Sequence, residues 1–366
     1  MRVVSKSSKC KVSRLTITAR TAAFDVLLRT HSGAWADEVL RPISEHLNER
    51  DAALAHQLTF GCLRYQAQLD FLIGHFSGKQ MKLDLEVRIA LRLGIFQLRY
   101  LDRIPPHAAV AETVDLVKRA RKRSATGLVN AVLRKVTRDP VAFPDRETEL
   151  SMPEWLLNSW TQQHGEAGAN TIARTFLSQP EAHFVEADGR QMDIGAQSIV
   201  PLLDLQPGMR LLDLCAAPGN KTMQALSIGA EVIACDLHFH RLRQVNCPQR
   251  VVLDATAGLP FHTLFDRILV DAPCSGTGTL GRNPEIRWRL TPADVQDLAT
   301  RQVKILNNAL GLLKPGGKLV YSTCSLEKAE NEQVVNQAAA GRATQSFYRI
   351  PGLQDGDGFY ASVITS

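Results

Sequence analysis

Apolar residues in the first third of the chain recur at three- and four-residue spacing, which is the period of an amphipathic helix. The pattern runs from residue 19 to residue 137 and includes Ala22, Val26 and Leu27. Helix breaks are predicted at Ser32-Gly33, at Gly74 with Ser77-Gly78, and at Ile104-Pro105-Pro106. We therefore predict an all-helical bundle of several short helices.

The pattern changes after residue 209 to short apolar runs that are separated by helical or loop stretches. Five runs are predicted strands: Arg210–Leu214, Glu231–Cys235, Arg250–Leu253, Arg267–Val270 and Lys318–Tyr321. Strands that alternate with helices are typical of an α/β fold with a doubly wound parallel sheet.

The stretch between these two regions contains Pro140, Pro144 and Pro153 and is predicted to be a linker from Asp139 to Glu154. Helical segments are expected after it, at 155–164 and 170–177. The predicted domains are thus a helical domain at 15–140, a linker with a short additional subdomain at 141–200, and a sheet domain at 201–366.

Composition places the chain among ordinary globular proteins. With 366 residues and 45% hydrophobic content, it is long enough for two compact domains with their own cores. The first 20 residues are basic but lack the apolar region of a signal peptide, and no later run is long and apolar enough to span a membrane. The seven cysteines include no C-x-x-C pair. We therefore expect a cytoplasmic protein with reduced thiols and no disulfides.

Charge is unevenly distributed within the net charge of +6. Residues 1–150 carry 25 Lys and Arg against 16 Asp and Glu, whereas residues 151–366 carry 18 against 21. A basic front half suggests a nucleic-acid partner, although a merely solvated basic surface would look the same.

The strongest basic run has five cations in the six residues 118–123, directly before the Gly127-x-x-Asn130-x-x-x-Arg134 segment. Such a run is either a solvated helix end or a patch that contacts phosphates, because the following helix start could add backbone N–H donors. The candidate RNA-binding residues are Lys118, Arg119, Arg121, Lys122, Arg123 and Arg134.

A turn of small residues follows the first predicted strand and reads Asp213-Leu-Cys-Ala-Ala-Pro-Gly-Asn-Lys-Thr222. Small residues let a ligand approach the backbone, and the helix start after them favours a nucleotide-like ligand. The turn lacks the Gly-x-Gly-x-x-Gly pattern of dinucleotide sites and is not a Walker A sequence.

Acidic residues end the first three predicted strands: Asp213, Asp236 and Asp254. A carboxylate at the second strand end can accept both hydroxyls of a ribose, and Asp254 would lie near an adenine amino group. One acid at each strand end is the arrangement expected for S-adenosylmethionine. The alternative is that these acids only cap the helices that follow.

Two cysteines follow the fourth and fifth predicted strands, in Asp271-Ala-Pro-Cys274-Ser-Gly and in Tyr321-Ser-Thr-Cys324-Ser. In a parallel sheet both thiols would lie at the ligand-binding edge. A thiolate that adds to C6 of a pyrimidine activates C5 to accept a methyl group, and a hydrogen-bonding Asp271 carboxyl near ring N3 would stabilise the adduct. The second cysteine would serve as base or release group.

The other cysteines are expected to be structural. Cys10, Cys62 and Cys247 are interpreted as small buried hydrophobes, and Cys215 as a packing residue whose backbone faces the cofactor. The set Cys235, His238, His240 and Cys247 does not match the spacing of a zinc site, so no metal is predicted.

At these motifs the chain resembles the bacterial small-subunit (16S) ribosomal RNA cytosine-C5 methyltransferases of the Sun/Fmu (RsmB) type. The resemblance covers nearly the whole chain and includes 213–222, 271–276, 321–325 with Glu330-Asn-Glu332, and Asp357-Gly-Phe359. In the front half, 60–64, 103–112 and 127–134 resemble the RNA-binding domain related to the antitermination factor NusB.

The resemblance implies an all-helical NusB-like domain followed by a Rossmann-like class I S-adenosylmethionine methyltransferase domain, acting as a monomer on free rRNA or an early particle. It implies that Cys324 attacks C6, that Cys274 assists release, and that Lys221 and Asp271 reach towards the methyl group and the base. The implied cofactor-binding residues are Cys215, Ala216, Ala217, Pro218, Gly219, Asn220, Lys221, Asp236, Asp254 and Asp271.

The chain departs from the family pattern at three places. Asn220 stands where glycine is usual, so the loop either tolerates a side chain or uses a left-handed asparagine. The segments 178–197 and 241–251 are short. These departures are expected to affect RNA placement and loop order more than chemistry.

Two other functions remain open from the sequence. A non-catalytic RNA-binding or ribosome assembly factor could retain only cofactor binding, although both cysteines and Asp271 argue against it. A methyltransferase for DNA or protein is the other alternative, but amide-nitrogen methyltransferases tend to have Asn-Pro-Pro-Tyr where this chain has Asp271-Ala-Pro-Cys.

Overall fold

The computed structural model describes residues 17–78, 82–186 and 189–366. The chain forms two compact units. The first contains the chain up to Cys62 and Leu72–Pro140, and the second contains Leu63–Phe71 and Val141–Ser366. The segment Leu63–Phe71 thus belongs to the second unit although it lies within the predicted helical domain.

The first seven helices confirm the predicted helical region. They are α1 Ala19–His31, α2 Ala36–Ser44, α3 Glu49–Arg64, α4 Gln66–Ser77, α5 Leu85–Tyr100, α6 Pro106–Arg119 and α7 Thr126–Arg134. α1 begins with a capping box in which Thr18 and Thr21 exchange side-chain and backbone hydrogen bonds. The break predicted at Gly74 is wrong, because α4 continues through it and ends before Gly78, whose φ is 78°.

Helix α5 is the centre of the first unit. Its buried residues include Val87, Ile89, Leu91, Leu93 and Phe96, which lie on more than one face. A helix that is apolar on several sides is stable only when other helices surround it. α1, α6 and α7 pack against it.

The second unit begins with α8 Arg146–Leu150 and α9 Glu154–Thr175, followed by α10 Ile194–Gln197. The predicted linker therefore contains a short helix, capped by the Asp145 side chain on the Thr148 N–H. The two helical segments predicted after it are joined in α9, which is kinked at Gly165, where φ is 72°.

The sheet has seven strands: β1 Arg210–Asp213, β2 Glu231–Asp236, β3 Gln249–Val252, β4 Phe265–Asp271, β5 Leu313–Thr323, β6 Ala343–Arg349 and β7 Phe359–Thr365. Helices α11 Asn220–Ser227, α12 Phe239–Leu242, α13 Pro292–Leu310 and α14 Glu332–Ala338 connect them. The order is β3-β2-β1-β4-β5-β7-β6.

The first five strands pair in parallel, which confirms the five predicted strands. The expectation of a wholly parallel sheet is wrong, because β7 pairs antiparallel with β5 and β6 antiparallel with β7. The chain runs outward from β1 through β2 to β3 and then returns to β4 on the other side of β1. This reversal creates the crevice in which open α/β sheets bind ligands.

Alternate residues of the central strands fill two separate cores. Leu212, Ile268 and Leu319 face α13 and α14, whereas Leu211 and Leu269 face α11 and α12. Side chains alternate between faces along a strand, so near-continuous apolar runs are what a sheet covered on both sides requires.

The segment after β4 is anchored by Arg287, which is fully buried. Its guanidinium donates hydrogen bonds to the carbonyl oxygens of Ser151 at 3.0 Å, Phe176 at 3.2 Å and Leu280 at 2.9 Å. Burial lowers the pKa of Arg287 to about 9. These bonds hold the loop beyond Cys274 against the helical segment that precedes the sheet.

Candidate active site

The register of β4 and β5 brings the two cysteines together. Asp271 of β4 lies opposite Ser322 of β5, and each cysteine follows within three residues. The Ala272 N–H continues the pairing by donating to the Ser322 carbonyl at 2.8 Å. Parallel strands in this register deliver both turns to the carboxyl edge of the sheet, as the sequence predicted.

The Cys274 and Cys324 sulfur atoms are 3.4 Å apart, and both side chains are partly buried. The hydrogen bond with Cys324, followed by burial and the charges of Cys324 and Glu330, raises the pKa of Cys274 well above its ordinary value. Cys274 is therefore held as a thiol.

Lys221 and Asp271 form an ion pair beside the thiols. The Lys221 Nζ lies 2.6 Å from Asp271 Oδ2, and the Ser322 hydroxyl donates to Asp271 Oδ1 at 2.7 Å. Burial alone would lower the pKa of Lys221, but the Asp271 carboxylate and the charges of Cys324 and Asp213 raise it. The ammonium group is thus kept charged next to Cys324.

Glu330 joins the two cysteine turns from behind and is completely buried. Its carboxylate accepts hydrogen bonds from the Ser275 N–H at 2.8 Å, from the Ser275 hydroxyl, and from the Ser325 hydroxyl at 2.5 Å. The Gln302 amide donates to it at 3.0 Å. Each cysteine of the pair is followed by a serine that binds the same carboxylate.

The loop after β5 is fixed by two further contacts. The Thr323 hydroxyl donates to Asn331 Oδ1 at 2.6 Å, and the Asn331 amide donates to the Ser325 carbonyl at 2.9 Å. Glu330 and Asn331 were expected only as part of the family resemblance, with no role assigned to them. The sequence signal that could have indicated this role is the Cys-Ser pair that occurs in both turns, since both serines, Ser275 and Ser325, bind Glu330.

Gly278 is necessary for the close packing behind Cys324. Its N–H donates to the Cys324 carbonyl at 2.8 Å, and a Cβ at this position would lie 2.3 Å from the Gly358 carbonyl oxygen. Only glycine leaves room for three loops to meet here.

The small-residue turn after β1 begins α11. Gly219, with φ 108°, directly precedes the helix. Asn220 is the first residue of the helix, and its φ is not positive. Of the two options for Asn220, the loop therefore tolerates a side chain, and the left-handed asparagine is wrong. Asp236 at the end of β2 accepts from the Ala217 N–H at 3.3 Å and the His238 N–H at 2.9 Å, which fixes the carboxylate beside the turn.

Asp213 is buried at the end of β1, where its Oδ2 accepts from the Thr222 hydroxyl at 2.6 Å. Its Oδ1 has no hydrogen-bond partner among the described residues. Burial raises the pKa of Asp213 to about 7, and Asp271 contributes in the same direction. The site therefore contains an unmatched acceptor close to the ion pair.

The remaining cofactor candidates differ in their surroundings. Asp254 is exposed and accepts from the Thr256 N–H and hydroxyl at 2.9 Å and 2.7 Å, a local turn after β3. Hydrogen bonds from Thr256 lower the pKa of Asp254. Cys215 is partly exposed, and burial raises the pKa of its thiol well above the ordinary value.

Half of the candidate RNA-binding cations are engaged in ion pairs. Lys118 lies 2.8 Å from Asp115, Arg119 2.7 Å from Asp25, and Lys122 2.9 Å from Asp84. Within the described residues the other three are exposed and have no ion pair: Arg121, Arg123 and Arg134. α7 begins at Thr126, one residue before the predicted Gly127 start.

Two of the cysteines that were interpreted as structural are buried. Cys62 and Cys247 are buried, and burial raises the pKa of Cys62 far above its ordinary value. The Cys247 sulfur contacts the Val232 and Gln249 carbonyls at 3.4 Å and 3.3 Å. Cys10 lies outside the described residues.

None of the helices between residues 17 and 366 that the structure describes has both the length and the apolarity to cross a membrane.

Comparison with known proteins decides the family. Ribosomal RNA small subunit methyltransferase B of Klebsiella pneumoniae is 33% identical over 407 aligned positions, covering 91% of this chain and 94% of that protein. The chain belongs to the ribosomal RNA small subunit methyltransferase B family. Probable ribosomal RNA small subunit methyltransferase B of Bacillus subtilis is 30% identical, with 87% of each chain covered. The family member described here is therefore a methyltransferase.

Domain models agree with this assignment. Residues 200–363 match the model for 16S rRNA methyltransferase RsmB/F, and residues 17–138 match the NusB family. The solved structure of PH0851 has a TM-score of 0.77 at 18% identity and covers 96% of this chain and 100% of that one. The resemblance and the α/β fold class with a helical NusB domain are thus confirmed, with a mixed sheet in the Rossmann-like domain.

Proposed function

We propose that this family member transfers a methyl group from S-adenosylmethionine to C5 of a cytosine in small-subunit ribosomal RNA, through a covalent adduct between Cys324 and C6. The observation that carries the proposal is the 3.4 Å pair of thiols beside the Lys221–Asp271 ion pair. The names of the curated relatives supply the rRNA substrate.

The residues at the carboxyl edge suit the cofactor. Asp236 is fixed by backbone donors beside the small-residue turn and retains acceptor capacity for ribose hydroxyls. Asp213 carries a buried acceptor atom without a partner. These acids and the turn at 215–221 would hold S-adenosylmethionine, which supplies an electrophilic methyl group when bound.

Cys324 is proposed as the nucleophile because the resemblance assigns the attack to this position and because the Lys221 ammonium lies close enough to interact with its charge. The Cys324 thiolate forms a bond to C6, and the electron pair of the C5–C6 double bond becomes available at C5. The negative charge that develops on N3 is neutralised by the proton that the Cys324 thiol gave up, carried by water, and Asp271 accepts a hydrogen bond from the resulting N3–H. The Lys221 ammonium keeps Asp271 in place at 2.6 Å.

Release requires elimination after C5 is methylated. The C5 proton leaves to water, the C6–S bond breaks with its pair on the Cys324 sulfur, and the C5–C6 double bond is restored. The N3 proton returns through water to the Cys324 thiolate, so the base and the thiol are both regenerated. The Cys274 thiol stabilises the departing thiolate by hydrogen bonding across the 3.4 Å contact. The two cysteines thus have different roles despite similar turns.

The test uses cysteine variants of the full chain with small-subunit rRNA and S-adenosylmethionine. Cys324→Ala should abolish formation of 5-methylcytidine while leaving cofactor binding measured by calorimetry unchanged. Cys274→Ala should accumulate a protein–RNA adduct visible on denaturing gels. Cys247→Ala, a buried cysteine away from the pair, is the matched control.

Several outcomes would contradict the proposal. Full activity of Cys324→Ala would remove it from the nucleophile role, and an adduct in Cys324→Ala but not in Cys274→Ala would exchange the roles. Absence of 5-methylcytidine with wild-type protein, checked by bisulfite mapping of the rRNA, would favour a non-catalytic assembly role.

A further inference from the structure

The antiparallel strands that the sequence did not predict place aromatic residues at the same sheet edge as Cys324. Thr323 of β5 faces Tyr360 of β7, and Tyr360 faces Tyr348 of β6. These residues lie side by side on three neighbouring strands, so the Tyr348 backbone is two strand spacings, roughly 10 Å, from the end of β5. That separation is too large for the target base and suits a neighbouring nucleotide.

A cavity of about 290 Å³ opens at this position. It begins at Ser325, one residue beyond Cys324, and continues past Leu326 and Phe359 to Tyr348. Phe359 also borders the catalytic groups, because the Lys221 Nζ lies 5.8 Å from its ring centre. Phe359 and Ser325 thus border the cavity and also lie next to Lys221 and Cys324, respectively.

The chemistry of the lining matches an unpaired nucleotide. Tyr348 is 46% exposed and offers a ring for stacking, and Lys328 and Arg349 supply cations. Unpaired RNA bases are bound by aromatic stacking combined with positive charge along the backbone.

Glu332 adds a specific acceptor. It lines the same cavity, and its Oε2 is buried without a geometric hydrogen bond among the residues that the structure describes. Burial, followed by the charge of this carboxylate, raises the pKa of the neighbouring Tyr348 hydroxyl. An unmatched buried acceptor is costly unless a ligand supplies a donor. Cytosine, adenine and guanine present an exocyclic amino group, whereas uracil does not.

We propose that this cavity binds the nucleotide next to the target cytosine in the same RNA strand, with its base on Tyr348, its phosphate near Lys328 and Arg349, and its amino group on Glu332. The inference rests on the proposed cytosine methylation. It assigns the third residue of the Glu-Asn-Glu segment a role in selecting sequence around the target.

The experiment uses short RNAs that contain the target cytosine, with the nucleotide on either side changed between uridine and the three amino-bearing nucleosides. Steady-state methyl transfer is measured for wild type, Tyr348→Ala, Tyr348→Phe and Glu332→Gln. Phe347→Ala is the matched control, because Phe347 is the preceding residue of β6, 41% exposed, and points to the opposite face of the sheet.

Wild type should prefer an amino-bearing neighbour on one side. Tyr348→Ala should raise KM about tenfold with kcat unchanged, as loss of one stacking contact predicts, and Tyr348→Phe should restore KM because it keeps the ring. Glu332→Gln should weaken the preference against uridine. Phe347→Ala should behave as wild type.

Two results separate the possible failures. If wild type methylates every RNA equally and Tyr348→Ala has an unchanged KM, the neighbouring-nucleotide site is wrong while the methylation proposal stands. If wild type forms no 5-methylcytidine on any RNA or on rRNA, the proposed function fails and this inference fails with it.

Discussion

Replacing Glu330 by glutamine tests whether the two thiols depend on one carboxylate for their positions. Glu330 accepts from both serines that follow the cysteines and from Gln302. Glutamine has nearly the same shape but replaces one acceptor oxygen by an NH₂ group. The Ser275 N–H is a donor and cannot accept a hydrogen bond from the NH₂ group, so the amide oxygen must stay next to the Ser275 N–H. The NH₂ group must then face the Ser275 and Ser325 hydroxyls.

The structure indicates the size of the effect on stability. Hydrogen bonds to a charged group contribute about 1.5–3 kcal/mol each, and neutral ones about 0.5–1.5 kcal/mol. Replacing the carboxylate by a neutral amide weakens the hydrogen bonds to Glu330. The Ser275 and Ser325 hydroxyls, which are 3.1 Å apart, can then no longer donate to this side chain and must accept from its NH₂ group. Loss of a buried charge offsets part of this cost. We expect the free energy of unfolding to fall by about 2 kcal/mol.

Activity should fall much further than stability. A displacement of about 1 Å in a catalytic group can cost about a hundredfold in rate. We expect kcat to fall by about that factor, with little change in cofactor affinity, because the turn at 215–221 and Asp236 follow β1 and β2, which Glu330 does not contact. In the double variant Glu330→Gln, Cys274→Ala, the covalent protein–RNA adduct should form more slowly than in Cys274→Ala alone.

The assay combines methyl transfer with urea unfolding followed by tryptophan fluorescence. Three of the four tryptophans, at 155, 160 and 288, belong to the second unit. Glu327→Gln is the control, since Glu327 is also buried and its carboxylate accepts from Ser159 at 2.6 Å and Trp160 at 3.0 Å, both in α9, and not from the serines that follow the cysteines. It should lose comparable stability and keep its kcat.

The reasoning would be refuted by either of two results. If Glu330→Gln retains wild-type kcat while losing stability, the carboxylate supports the fold and does not position the thiols. If both glutamate variants lose kcat in proportion to stability, the loss is general and Glu330 has no special relation to the cysteines.

Two further predictions concern pH and RNA. Because the pKa of Asp213 is about 7 against an ordinary 3.8, the folded state binds its proton more tightly, and the free energy of unfolding should fall as pH rises from 3.8 towards 7. Asp213→Asn should flatten that fall in urea titrations, and an unchanged pH slope would contradict the assignment. A triple variant with alanine at Arg121, Arg123 and Arg134 should bind RNA more weakly. The slope of the logarithm of its RNA association constant against the logarithm of the salt concentration should be smaller by about 2 to 3. Arg119→Ala, which removes a partner of Asp25, is the control, and equal slopes for both variants would mean that the run is only a solvated surface.

Most of the fold was predictable because periodicity and strand-end chemistry are local. The five apolar runs became β1 to β5, and the break at Pro105-Pro106 became the start of α6. Gly74 was misjudged because a single glycine is tolerated within a helix when neighbouring residues are good helix formers. β6 was not predicted, since its residues are almost all exposed and lack apolar alternation.

The candidate site was predicted as a set of residues but not as an arrangement. Cys274, Cys324 and Asp271 were expected at one sheet edge, and the structure brings them together with Lys221. The sequence did not show that Glu330 binds both turns, because the partners lie 55 and 5 residues away along the chain. It also did not distinguish the engaged cations of the basic run from the exposed ones.

The sequence by itself determined the helical and α/β regions, the strand ends that carry acids and thiols, and the family to which the chain belongs. These depend on residue type and spacing, which are local properties. Only the tertiary structure decided how close the two thiols lie, which carboxylate binds both cysteine turns, and which aromatic residues of β6 and β7 stand beside Cys324. Those properties depend on burial and on distances between segments far apart in the chain, and burial and distance exist only after the strands have paired.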